Sequence, residues 1–231
     1  MYLYGKNVVK ELLSEKKEIQ KVYIYKNFHD QNLISELTKR NIKIQYLEKK
    51  ELDQLVKGVH QGIIVSVSDY KYANMNDFIK KDDSFIVILD HLEDPHNFGA
   101  IIRTCEAAGV DGIIIPKNRS VMVNSTVAKV SVGALEKIPI AQVTNLSQTI
   151  EKLKQEGFWI VGTDMQGTSY DEIDYRGKIA IVVGNEGSGM SRIVKESCDF
   201  IATIPMIGTI NSLNASVSTG IVIYEAVKSR K

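Results

Sequence analysis

Cysteine is nearly missing from this chain of 231 residues: Cys105 and Cys198 are the two present. That is too few for a disulfide framework or a four-ligand zinc site. No apolar run approaches the roughly 18 to 20 residues that cross a bilayer. The start, Met1-Tyr2-Leu3-Tyr4-Gly5-Lys6, lacks the apolar stretch and small-residue cleavage site of a secretory signal. Charge of one sign is not in excess either. With 29 Lys and Arg against 28 Asp and Glu, a polybasic nucleic-acid tail is excluded. The phosphate-loop pattern G-x-x-x-x-G-K-[ST] is absent, which argues against a nucleotide triphosphatase. What is left is an ordinary globular composition, 44% hydrophobic and 25% charged. It fits a soluble, cytoplasmic protein with no membrane partner.

Charge and aromatic residues are nevertheless uneven. Residues 1–70 hold twelve Lys and Arg against nine Asp and Glu. Seven of the ten tyrosines fall in or just after that stretch: Tyr2, Tyr4, Tyr23, Tyr25, Tyr46, Tyr70 and Tyr72. Cations with interleaved rings suit RNA, neutralising phosphates and stacking on splayed bases. Strand placement explains Tyr23, Tyr25 and Tyr46 as readily, because tyrosine is favoured in strands.

Periodicity divides the chain in two. The first part alternates short strands and helices: strands over 21–25, 42–46 and 62–67, with a helix over 32–39 presenting Leu33, Ile34 and Leu37 on one face. Residues 71–83 are polar and broken, as a linker would be. From Phe85 the texture changes to continuous apolar runs over 85–89, 112–115, 158–161, 179–183 and 200–204. Strands apolar on both sides belong in a parallel sheet covered by helices, here expected over 100–108, 146–156 and 213–228. The fold class is therefore α/β, with a substrate-binding domain over 1–70 and a catalytic domain over 84–231. Open parallel sheets bind ligands beyond the carboxyl ends of their strands, which points to 90–99, 184–190 and 205–214.

Each of those loops has a chemical and a plain reading. Gly184-Asn185-Glu186-Gly187-Ser188-Gly189 reverses the dinucleotide spacing and follows a late strand, which argues against a nicotinamide or flavin dehydrogenase. Such a loop still lets backbone groups approach an adenine or an amino-acid moiety. The acids and histidines of Asp90–His96 lack metal-ligand spacing, and Pro95 suggests a turn entering a helix with Asn97 near its cap; no metal is expected. Arg103 and Glu106 share a helical face that is otherwise apolar, either as an ion pair or as ligand-binding charges. Cys105 reads as a core thiol. Ser212 or Asn214 can cap the last helix, whose Leu213, Val217, Ile221 and Tyr224 form a stripe expected to face the core.

At these loops the sequence resembles the SpoU/TrmH branch of the SPOUT RNA methyltransferases. The first family motif is matched by Asn97-Phe98-Gly99-Ala100-Ile101-Ile102-Arg103-Thr104 and Ala107-Ala108-Gly109, the second by Gly184–Met190. The third is matched by Ile204-Pro205-Met206 with Ser212-Leu213-Asn214-Ala215-Ser216-Val217; Ala215 departs from the usual valine, a matter of packing. Ile115–Ser120 and Val132–Glu136 resemble the RlmB-type subgroup, which modifies a guanosine of large-subunit ribosomal RNA. Tyr4–Val9 and His60–Ile63 resemble that subgroup's ribosomal-protein-like RNA-binding domain.

The resemblance implies a catalytic domain with a deep trefoil knot, acting as a homodimer with its sites near the dimer interface. It implies S-adenosyl-L-methionine held by Gly184, Ile204 and Leu213, with Asn185 and Met206 beside them. It implies methyl transfer to a ribose 2′-hydroxyl, with Arg103 activating the hydroxyl, Asn97 and Glu186 orienting, and Ser212 and Asn214 lining the wall. Ribosomal RNA is the expected partner, transfer RNA the alternative.

Overall fold

The computed structural model describes residues 1–14, 17–79 and 82–230 and divides the chain into two compact units, Met1–Lys71 and Tyr72–Lys231. In the first unit the order is β1 (Tyr2–Tyr4), α1 (Lys6–Ser14), β2 (Ile19–Tyr25), α2 (Gln31–Lys39), β3 (Ile44–Leu47), α3 (Lys49–Leu55) and β4 (Ile63–Val67). The four strands form one sheet in the order β1-β4-β2-β3, antiparallel except for β2 with β3. Leu3, Val22, Ile24, Ile63 and Val65 are buried on it, and the helices add Val9, Leu12, Leu13, Leu33, Leu37 and Leu52 to the core. Asp30 caps α2 by accepting from the Leu33 N–H at 3.2 Å.

The second unit contains β5 (Phe85–Leu89), α4 (Pro95–Ala107), β6 (Gly112–Pro116), α5 (Ser125–Val130), β7 (Ile140–Val143), α6 (Leu146–Gln155), β8 (Trp159–Ser169), β9 (Ile179–Val183), α7 (Arg192–Glu196), β10 (Phe200–Thr203) and α8 (Ala215–Ser229). Its six strands are all parallel, ordered β10-β8-β9-β5-β6-β7. Every residue of β5, β6 and β9 is buried, the condition that makes a strand read as an unbroken apolar run. The chain leaves β5 towards β7, then crosses to the other side and inserts β9 against β5. The carboxyl ends of β5 and β9 therefore flank the point where strand order reverses, where such sheets form their ligand crevice.

Several elements depart from the expected reading. The stretch 71–83 is not simply a linker: the Ala73 N–H donates to the Ile140 carbonyl at 2.8 Å, a single 3-10 turn follows over Met75–Asp77, and Phe78 and Ile79 join the core of the second unit. Strand β7 and the short helices α5 and α7 were not expected. Helix α4 begins earlier than the periodicity suggested, with Asp94 as its cap accepting from the His96 N–H at 2.7 Å and Pro95 in its first turn. Asn97 lies inside the helix.

The largest difference is in α8. Its buried residues are Ala215, Thr219, Val222, Ile223 and Ala226, whereas Leu213, Val217 and Tyr224 of the expected core stripe are 40%, 50% and 52% exposed. The inward face combines small Ala215, Thr219 and Ala226 with Val222 and Ile223, and α8 lies against α4, with the position of a Gly220 Cβ 3.7 Å from the Thr104 methyl. Leu213, Val217 and Tyr224 are left outside.

Gly112 shows how tightly residues 72–79 are held. A Cβ there would lie 2.4 Å from the Phe78 ring. Gly112→Ala is expected to lower the stability of the second unit by about 1–3 kcal/mol through overpacking. In a Phe78→Ala background the added methyl should cost markedly less. Urea unfolding of the four chains of that double-mutant cycle measures the coupling, and additive effects would show that the ring does not occupy the site.

Candidate active site

The three Gly-, Asn- and Ser-rich loops follow β5, β9 and β10, and the first two are tied together by a buried carboxylate. Asp90, just past β5, is 1% exposed. Its Oδ2 accepts from the Ser191 N–H at 2.6 Å, and its Oδ1 lies 2.5 Å from His91 Nδ1. Its own N–H donates to the Val183 carbonyl at 2.7 Å. His91 adopts φ +59°, an uncommon conformation for a side chain of this size. That turn presents its carbonyl to the Asn185 amide, which donates from Nδ2 at 2.8 Å.

Asn185 also organises its own loop. Its Oδ1 accepts from the N–H groups of Gly187 and Ser188 at 2.9 and 3.2 Å, and its backbone pairs with Gly189 in both directions. Gly184 beneath it is buried, and a Cβ there would sit 2.3 Å from Gly189 C and Met190 N. Only glycine permits that approach.

The next residue reaches the first motif. Glu186 Oε1 accepts from Asn97 Nδ2 at 3.0 Å and from the Asp94 N–H at 3.4 Å. Two expected site residues 89 positions apart are thus in direct contact. Arg103, two turns further along α4, is exposed, and its guanidinium has no hydrogen bond or ion pair among the described residues. Glu106 does not pair with it but with Lys137, at 3.3 Å.

The third loop is the least constrained. Residues 205–214 are exposed, and no hydrogen bond from a described residue reaches the backbone of residues 204–213. Met206 and Leu213 are 38% and 40% exposed, and Ile204 is half-buried. Asn214 acts as the N-cap of α8: its Oδ1 accepts from the Ser216 N–H at 2.9 Å and from its hydroxyl at 2.6 Å. Ser212 is exposed just before it.

Neither thiol suits nucleophilic work. Burial pushes the Cys105 thiol far above its usual range, and burial pushes that of Cys198 up to about 12. Among the described residues no group of three or more His, Cys, Asp or Glu side chains is placed to hold a metal ion. Of the acids and histidines of 90–96, Asp90, His91 and Asp94 are engaged in the contacts above. Asp90 and Ser191 carry the joint and were missed as site-forming residues: a backbone N–H accepted by a remote carboxylate leaves no mark in the sequence.

With that geometry in view, residues 84–224 match the SpoU rRNA Methylase family. The chain belongs to that family. Residues 2–73 match a second model, RNA 2′-O ribose methyltransferase substrate binding. Over 238 aligned residues the chain is 44% identical to YacO of Bacillus subtilis, whose name places it among TrmH family tRNA/rRNA methyltransferases; 99% of this chain and 96% of that one are covered. The fold matches the SpoU methyltransferase AviRb of Streptomyces viridochromogenes, solved with its cofactor AdoMet, with a TM-score of 0.76 at 21% identity over 99% of this chain and 89% of that one. An AdoMet-bound rRNA methyltransferase of Sinorhizobium meliloti matches with a TM-score of 0.74 at 24% identity, over 98% and 86%.

The Asp90 joint yields a test. Asp90→Ala leaves the Ser191 N–H without its buried acceptor and is expected to cost about 1–3 kcal/mol. Asp90→Asn keeps one acceptor and should cost less. Hydrogen exchange should quicken at Ser191 and through residues 185–190 in Asp90→Ala. Unchanged protection there would show that the loop is held by other contacts.

Proposed function

We propose that the chain methylates a ribose 2′-hydroxyl in RNA, with S-adenosyl-L-methionine as methyl donor and a guanosine of large-subunit ribosomal RNA as the target. The observation that carries this is the succession, in one chain, of a 2′-O-ribose substrate-binding model and a SpoU model whose first two motifs meet at the Asn97–Glu186 hydrogen bond. The choice of ribosomal over transfer RNA follows the RlmB-type resemblance of residues 115–120 and 132–136 and of the front unit. The front unit is read as the ribosomal-protein-like RNA-binding domain of residues 1–70.

The residues present suit the donor. Gly184 is buried against Gly189 and Met190, and residues 204–213 offer backbone N–H and C=O groups that no described residue bonds, beside exposed Met206 and Leu213. Backbone groups can hydrogen-bond an adenine edge while Ile204, Met206 and Leu213 pack on its faces, with Asn185 keeping its loop in shape. When bound, the donor supplies an electrophilic methyl group on a sulfonium. Oxygen, methyl carbon and sulfur must then align, so positioning dominates.

Arg103 is assigned to the hydroxyl. A guanidinium hardly ever gives up its proton, so it acts by gripping the adjoining phosphate with two donors or by stabilising the developing alkoxide. Asn97 and Glu186 orient the ribose and the arginine. Ser212 lines the wall from the third motif, and Asn214 fixes that wall by capping α8.

Two further features belong to this reading. The chain runs from β10 at one sheet edge back through 204–214 to α8, which packs on α4 and β9 in mid-sheet; a trefoil knot accounts for that return. A homodimer gives the exposed Leu213, Val217 and Tyr224 a surface to cover them. The protein is placed in the cytoplasm, where its RNA is.

Arg103→Ala is expected to abolish transfer of labelled methyl to RNA while leaving donor affinity, measured by calorimetry, nearly intact. Arg103→Lys should also fail if two-donor geometry matters, and substantial activity would reduce the role to charge alone. Transfer to separated ribosomal and transfer RNA pools, with mapping of the modified positions, identifies the substrate. Donor binding without transfer to any RNA would overturn the enzymatic reading.

A further inference from the structure

The cations of the second unit are not distributed like ordinary surface charge. Nine of the thirteen described Lys and Arg there have an oxygen partner. Lys137 pairs with Glu106, Lys154 with Asp199, Arg176 with Asp174, Arg192 with Glu196, Lys195 with Asp164 and Lys228 with Glu225. Lys152 donates to the Asn76 side chain, Lys178 to the Glu156 carbonyl, and Arg230 to the carbonyls of Tyr175 and Gly177. Four cationic heads have none among the described residues: Arg103, Lys117, Arg119 and Lys129.

These four lie on connected elements. Arg103 is on α4. Lys129 is on α5, which packs on α4 so closely that a Gly99 Cβ would meet Val130 Cβ at 2.6 Å. Lys117 and Arg119 stand in the loop that follows β6, the strand beside β5, and so emerge at the same carboxyl edge of the sheet as the Asp90 and Glu186 loops. That loop is pinned to the loop that follows β5. The Val121 N–H and the Ser120 hydroxyl both reach the carbonyl of buried Leu92, at 2.7 and 3.2 Å. Arg119 itself is held at φ +54°, a left-handed conformation that disfavours a long side chain.

All four side chains are exposed. A pinned loop with two unneutralised cations beside a third and fourth has its charge reserved for an anion brought from outside.

We infer that Lys117, Arg119 and Lys129 form, together with Arg103, a phosphate track that seats the RNA strand next to the reacting ribose. The inference rests on the RNA methyltransferase reading above. The ligand is the sugar-phosphate backbone, so the track contributes affinity and register, not base sequence. These are positioning residues; transfer itself stays with the motif residues.

The test uses the full chain and a labelled single-stranded oligoribonucleotide. Each phosphate contact in single-stranded nucleic acid adds about 0.7 to the slope of log affinity against log salt. Lys117→Gln, Arg119→Gly and Lys129→Gln combined should lower that slope by about 2 and weaken binding at least about tenfold at low salt. Arg119→Gly relieves the positive φ, so loss of fold does not confound the result, and circular dichroism checks it. With ribosomal RNA the triple variant should raise KM while kcat and donor affinity stay near wild type. Restoring the arginine should recover part of the slope, and the paired-cation control Arg176→Gln should leave RNA binding unchanged. A slope and a KM equal to wild type would overturn the track. A wild-type chain that binds RNA but transfers no methyl would overturn the enzymatic reading instead, and the slope comparison would still decide the track.

Discussion

A carboxylate cut off from water has to be satisfied by donors fixed in place, and Asp90 is such a group. Leaving it unpaired would cost several kcal/mol, comparable to a good part of a domain's net stability. Its two oxygens are met by His91 Nδ1 and by the N–H of Ser191, 101 positions away. The ends of the two central strands are therefore joined by a contact that tolerates little movement. From this joint the His91 carbonyl receives Asn185, Asn185 shapes the loop, and Glu186 is delivered to Asn97. The precision of the site is inherited from the buried sheet; the loops alone would not supply it.

How much of this the sequence discloses depends on the kind of interaction. Strands buried on both faces, such as 85–89 and 179–183, announce themselves by continuous apolar residues. Strand β7 does not: Ile140-Ala141-Gln142-Val143 is short, only half buried, and preceded by Pro139. Helices α5 and α7 are six and five residues long, too short for a periodic signal. The α8 stripe shows a subtler limit. Hydrophobic spacing identifies an apolar face but not the direction it points, and in α8 the face that packs inward carries Ala215, Thr219, Val222, Ile223 and Ala226. The three loops were legible because glycine, asparagine and serine mark backbone that must turn or be approached. The Asp90–Ser191 contact was not, since one of its partners is a peptide group common to nearly every residue.

Charge shows the same contrast between composition and placement. A formal net charge of +1 excludes a generally basic surface. It says nothing about which cations are neutralised locally. Around α6, α7 and α8 the lysines and arginines are spent on nearby carboxylates and carbonyls, whose contribution to stability at exposed positions is small. Along α4, the β6–α5 loop and α5 they are not. A protein can thus be nearly neutral overall and still present one patch whose field reaches about a Debye length into solution.

That arrangement bears on why Arg103 carries no partner among the described residues. An exposed guanidinium in water interacts weakly with anything, because the solvent screens it. A carboxylate partner would fix its geometry but would also compete with the anion it is meant to meet. Left unpaired, it keeps its full charge until an RNA strand arrives, and the strand itself displaces water from the cleft and lowers the local dielectric. On the function proposed above, the electrostatic contribution then grows at the stage of closest approach, when negative charge develops on the accepting oxygen and stabilisation has the most effect. The free protein needs only the rigid geometry of the Asp90 joint and an unneutralised cation nearby; the substrate completes the rest.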